Sequence, residues 1–164
     1  MSANIDNLKA TLAILKRARK LDMAAFQNGD EWAGITADQI AKTEEELHTC
    51  GNTACIAGYV AVSAEWRAWG GLIDLENGSP YSKTDSVTSS LAEFWGLGVA
   101  DTVAIIYGEG WSRFLKKYKI SGIALYDEDS WDSLNKEQAV SLFEQLVKHY
   151  ETLGERHADS PTNL

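Results

Sequence analysis

The chain has 164 residues, 45% of them hydrophobic and six of them Trp, which bounds it to one folded domain with a real core. Its formal net charge of −9 argues against non-specific binding to phosphate backbones. No apolar run reaches the ~18 residues of a membrane span, and the basic N-terminal segment is no signal peptide. The expected location is the cytoplasm, where thiols stay reduced.

Ile5, Leu8, Leu12 and Leu15 recur at helical spacing and predict an amphipathic helix from about Asn4 to Lys20, capped by Asn4. Its other face carries Lys9, Lys16, Arg17, Arg19 and Lys20, read as a solvated face or as the partner of the acidic segment that follows. Asn28-Gly29-Asp30 signals a turn. Thr36-Ala37-Asp38-Gln39 is a capping-box pattern that starts a short helix through Ile40 and Leu47, its end made strongly acidic by Glu44, Glu45 and Glu46. Carboxylates at a helix C-terminus oppose the dipole. They are read as a solvated acidic face, with docking of a basic partner as the functional alternative.

His48 to Val62 holds both cysteines and one of the three histidines. Gly51-Asn52-Thr53 is turn chemistry, with Asn52 or Thr53 placed to accept from free helical N–H groups. Ala54 to Val62 carries no charge, and the pattern continues to Trp66 and Trp69. A helix apolar all round is a buried one, so a central helix over about Thr53 to Trp66 is expected. Gly58 weakens a helix interior by about 1 kcal/mol relative to Ala, which calls for a packing reason.

Gly70-Gly71 should end that helix, and Leu72 to Asp85 reads as a loop; a strand at Leu72–Leu75 has no obvious partner. Helices are then expected at Thr88–Trp95, Val99–Tyr107 and Trp111–Tyr118, with glycine stops at Gly96, Gly98, Gly108 and Gly110. Ile120 to Asp132 is irregular and acidic. Asn135, with Gln138 three residues on, caps a last helix whose stripe is Ala139, Leu142, Phe143, Leu146 and Tyr150. Gly154 should close it, leaving one domain over 1–153 and a disordered tail over 154–164. The fold class expected is all-α, a single compact domain of about six helices around a buried central one.

The run Cys50-Gly51-Asn52-Thr53-Ala54-Cys55-Ile56-Ala57-Gly58 resembles the C-G-T-x-x-C-I-A-G-like signature of a family of small, mostly phage and prophage proteins of uncharacterised function. Asn52-Thr53 departs from the usual Gly-Thr pairing. Leu91 to Leu97 resembles the family's A-x-x-L-L-G-L element, and Tyr107 to Trp111 its short aromatic turn. The resemblance implies a phage context, in an infected or lysogenic bacterial host, and no reaction.

Three chemistries are available. His48, Cys50 and Cys55 are possible zinc ligands with unusual spacing and no fourth partner nearby, so no metal site and no cofactor is assigned. Cys50 precedes a helix N-terminus, where the dipole lowers a thiol pKa. A cysteine enzyme with Cys50 as nucleophile and His48 as candidate base is the alternative reading. The leading reading is non-enzymatic binding. Gly51, Asn52 and Thr53 would take a small anionic ligand, or Glu44, Glu45 and Glu46 would face a basic host protein, in a counter-defence role. Trp66, Trp69, Trp95, Trp111 and Tyr59 are either core or pocket walls that stack a base.

Overall fold

The computed structural model describes residues 3–24, 26, 37–49, 53–74, 78–82, 86–123 and 133–158. Among these the chain is all-α in class, with eight helices and one two-stranded hairpin. No single helix among the described residues is long and apolar enough to cross a membrane.

Helix α1 (Ile5–Arg17) starts where the sequence places it: the Asn4 side chain accepts from the Asn7 backbone N–H at 3.2 Å. Leu8, Ile14 and Leu15 are buried on its inner face. It packs along α8 (Lys136–Ala158), the longest helix, which buries Ala139, Leu142, Phe143 and Leu146. Asn135 and Gln138 cap α8 reciprocally, each side chain accepting from the other's backbone N–H at 2.9–3.0 Å. The helix runs past Gly154, because an isolated glycine weakens a helix without stopping it. Residues 159–164 of the expected tail lie outside the described residues, as do Asn28-Gly29-Asp30 and Thr36.

The centre of the fold differs from the sequence expectation: it is two helices, and the first starts at Ile56 rather than Thr53. Helix α3 (Ile56–Val62) is buried at every residue, and α4 (Ala64–Trp69) follows after a break at Ser63. Ser63 is extended (φ −70°, ψ 151°), ends α3 and caps α4. Its hydroxyl donates to the Val60 carbonyl at 2.7 Å and accepts from the Trp66 N–H at 3.1 Å. A serine that satisfies both helix ends makes the break cheap, and an apolar pattern does not register it.

Helix α3 touches α1, α2 (Ala37–Thr49), α4 and the hairpin, so it sits at the middle of the molecule. Gly70, left-handed at φ 94°, closes α4. The stretch expected to be a loop contains β1 (Leu72–Ile73) and β2 (Pro80–Tyr81), paired antiparallel with Leu72 opposite Tyr81. The partner missing from the sequence reading was the next few residues of the chain itself.

Helices α5 (Val87–Trp95), α6 (Val99–Tyr107) and α7 (Trp111–Tyr118) match the expected segments to within a residue. Ser86 caps α5, and left-handed Gly96 and Gly108 stop α5 and α6. The aromatic residues weighed as pocket walls are core. Trp66, Trp95, Trp111 and Tyr59 are buried, and half-buried Trp69 stacks on Trp66 at 5.1 Å. Three of their polar atoms have structural uses: Trp95 Nε1 donates to Thr11 Oγ1, Trp66 Nε1 to the Leu72 carbonyl, and Tyr59 Oη to the Lys20 carbonyl.

Candidate functional site

Of the residues the sequence singles out, Cys50, Gly51 and Asn52 lie outside the described residues, as do the side chains of His48 and Glu46. Thr53 is described and buried. It belongs to a short extended segment, where Ala54 forms a parallel bridge with Leu21. Its hydroxyl donates to the Asp22 carboxylate at 3.4 Å. The helix behind it begins later, and its cap is Cys55, whose Sγ accepts from the Gly58 N–H at 3.4 Å. Thr53 therefore faces a carboxylate rather than open helix-end donors.

Cys55 is buried, and that burial pushes its thiol up to about 11, with Asp22 adding to the rise. A thiol so placed carries almost no thiolate at neutral pH and serves as a small core residue with a capping sulfur.

Glu44 is engaged from two sides. Its carboxylate meets Arg17 of α1 at 3.6 Å and Arg67 of α4 at 3.4 Å, with its side chain 17% exposed. This is the pairing of the N-terminal cations with the following acidic segment that the charge pattern suggested. Glu45 is exposed on the same helix.

The other cations of α1 are paired as well: Lys9 with Glu151 at 2.7 Å and Lys16 with Glu144 at 2.8 Å. Both carboxylates belong to α8, so α8 turns these acids toward α1. The adjoining strip, with Gln145, Lys148, His149, Thr152 and Leu153, meets the end of α7. Those five residues recur at helical spacing, and with Tyr118 and Lys119 they line an open groove of about 370 Å³. No described carboxylate lines it.

The groove is built by local constraints. Helix α7 ends at Lys119, which is left-handed at φ 55°, ψ 36°, a conformation usually left to glycine or asparagine. The Ile120 N–H closes the turn onto the Leu115 carbonyl at 2.9 Å. The Gln145 side-chain amide then clamps Ser121, accepting from its N–H and donating to its carbonyl, both at 3.0 Å. That clamp fixes the α7 turn against α8, so that Lys119 of the turn and Lys148 of α8 line the same groove.

Tyr118 forms the floor. Its hydroxyl donates to Asp101 Oδ2 at 2.8 Å and lies 2.9 Å from the Tyr150 hydroxyl. Lys117 Nζ reaches the same Asp101 oxygen at 2.5 Å. Burial pushes the Tyr118 phenol up to about 12, and Tyr150 is raised too, by burial and then by Tyr118. The His149 ring packs edge-on to both tyrosines, at 5.2 Å from each.

This groove was missed by the sequence reading. Its signal was present: Arg113, Lys116, Lys117 and Lys119 follow one another with no acid among them, in a chain of net charge −9. Only Lys117 of these four has a carboxylate within ion-pair distance among the described residues.

No known protein family, no curated protein and no solved structure matches this chain.

Proposed function

We propose that the chain is a non-enzymatic binding protein that takes a small anionic ligand in the groove between α7 and α8. The observation that carries this is the charge of the groove: among the described residues Lys119 and Lys148 line it and no carboxylate does, Glu144 and Glu151 being paired with Lys16 and Lys9 of α1. Holding a lysine left-handed costs roughly 1–2 kcal/mol, and a retained strain of this kind is a pointer to use of the side chain. The groove's size suits a small molecule.

Setting the protein in a phage or prophage, acting in the host cytoplasm against a host system, rests on the resemblance of the segment from Cys50 to Gly58. The ligand would then be a host-derived small molecule that the protein holds. The acidic end of α2 is a weaker candidate for a basic host partner, because Glu44 already has two arginines. An enzyme built on Cys50 has no observation in its favour beyond the cysteine's place in the sequence.

Titration of inorganic phosphate followed by amide chemical shifts tests the reading. Shifts should centre on 118–121 and 145–153 and weaken as salt is raised. Lys119→Gly should fold at least as stably as the parent, since glycine relieves the left-handed residue. It should also bind phosphate about tenfold more weakly, the worth of one charge-assisted hydrogen bond. Phosphate shifts elsewhere, or undiminished in Lys119→Gly, would refute the site.

A further inference from the structure

Charge is half of what the groove offers. The rest of its wall is mostly apolar: the Tyr118 and His149 rings, set 83° to one another, and Leu153, which is 37% exposed at the far end. A bare ion on Lys119 and Lys148 would leave this apolar surface in water. A ligand that joins an anionic group to an apolar body would cover both.

The donors distinguish between anions. Both cations are lysines, compact charges with three rotatable protons each, and no arginine lines the groove among the described residues. A planar carboxylate is matched best by the arginine fork, whereas a tetrahedral phosphoryl group, with several acceptor oxygens, suits converging ammonium groups. The shape distinguishes between bodies. The groove is open along its length, so an alkyl chain laid in it would stay half wet. A flat ring gains most of its contact from one surface, and stacking on side-chain rings is available to any base.

The remaining polar groups also matter. Gln145 is committed to Ser121, the Thr152 hydroxyl donates to the Lys148 carbonyl, and the Tyr118 hydroxyl lies between Asp101 and Tyr150. Among the described lining residues this leaves His149 and the two lysines as the polar side chains not committed by these contacts.

Resting on the anion site above, we infer that the groove takes a nucleotide. Lys119 and Lys148 hold its phosphoryl group, and its base lies on His149 and Leu153 with little discrimination between bases.

The test is calorimetric titration of the full chain with AMP, GMP, adenosine and inorganic phosphate, repeated on Lys119→Gly and on Leu153→Ser. AMP should bind at least tenfold more tightly than phosphate or adenosine, and GMP within about threefold of AMP, the first because both halves contribute and the second because base edges go unread. Lys119→Gly should weaken AMP and phosphate together. Leu153→Ser, a change at a partly exposed position that leaves the fold intact, should weaken AMP and spare phosphate. Phosphate binding as tightly as AMP would overturn the nucleotide while leaving the anion site standing. A large preference between AMP and GMP would overturn the unread base. Absence of both AMP and phosphate binding, or AMP binding indifferent to Lys119→Gly, would overturn the anion site and the nucleotide with it.

Discussion

Gly58 lies against the backbone of Phe26 so closely that a β-carbon built on it would sit 1.5 Å from the Phe26 carbonyl oxygen. The same carbon would come within 2.9 Å of Ala54 Cβ. This is the packing reason that a glycine in the middle of a buried helix calls for. In an ordinary helix interior Gly→Ala gains about 1 kcal/mol. Here the added methyl meets backbone, which cannot rotate away, so Gly58→Ala should lose about 2 kcal/mol or more, and Gly58→Leu more again. Urea melts give the sign directly, and a stabilised Gly58→Ala would contradict the close approach.

Cys55 should behave as a cap and not as a nucleophile. Its sulfur accepts from the Gly58 N–H, a position that serine fills well. Cys55→Ser should therefore stay within about 1 kcal/mol of the parent, whereas Cys55→Ala, with no acceptor, should lose about 1 kcal/mol. Burial raises the thiol from its ordinary 9.0 to about 11. The unfolded chain deprotonates first, so between those two values it binds fewer protons than the folded chain, and stability falls as pH rises. Across the window the loss is about 2–3 kcal/mol, and it should vanish in Cys55→Ser. Tyr59 and Tyr118, both raised to about 12, add an alkaline loss of the same sign in parent and variant alike. The difference between the two pH profiles isolates Cys55.

The helices that the sequence announces most clearly are those with punctuation. Gly96 and Gly108 sit at positive φ at the ends of α5 and α6, where only glycine is comfortable, and Asn4, Ser86 and Asn135 all cap as their residue types suggest. The break at Ser63 has no such mark. Its neighbours are apolar on both sides, and what decides it is a hydroxyl bonded to two backbone groups that only the fold presents. The groove is less legible still. Lys119 and Lys148 are far apart in sequence and line one groove where Gln145 clamps Ser121. A charge pattern says that lysines are exposed; it does not say which carboxylates pair with which, as Glu144 and Glu151 do with α1.

The junction of α6, α7 and α8 depends more on a phenol than on an ion pair. Asp101 Oδ2 accepts from both Tyr118 and Lys117, but the Lys117 side chain is 54% exposed. Solvent screening leaves such a pair worth under about 1 kcal/mol, so Lys117→Met should change stability little. Asp101→Ala leaves the Tyr118 hydroxyl only the Tyr150 hydroxyl as partner and should cost about 1–1.5 kcal/mol. Equal losses in the two variants would show that the ammonium, and not the phenol, holds the junction.

Ser63 gives the sharpest test of the centre of the fold, because the two possible architectures predict opposite signs. If residues 56–69 formed one continuous helix, Ser63 would be an interior position, and Ser63→Ala would raise stability by a few tenths of a kcal/mol through helix propensity. In the broken arrangement the hydroxyl caps α4 through the Trp66 N–H and donates back to the Val60 carbonyl. Alanine then removes both bonds at a fully buried residue and leaves an unpaired N–H beside Trp66. The expected loss is about 1–2 kcal/mol. Ser63→Gly keeps the extended backbone accessible and should fall near alanine, so a loss in both variants cannot be put down to backbone preference. The indole of Trp66 reports the same event: it donates to the Leu72 carbonyl at 2.8 Å, and Gly71 leaves no room for it to shift, a β-carbon there falling 2.1 Å from the ring. Loosening the start of α4 should therefore move the Trp66 indole N–H resonance and speed its exchange with solvent before the global melt. A more stable Ser63→Ala with an unmoved Trp66 resonance would mean that the helix is continuous.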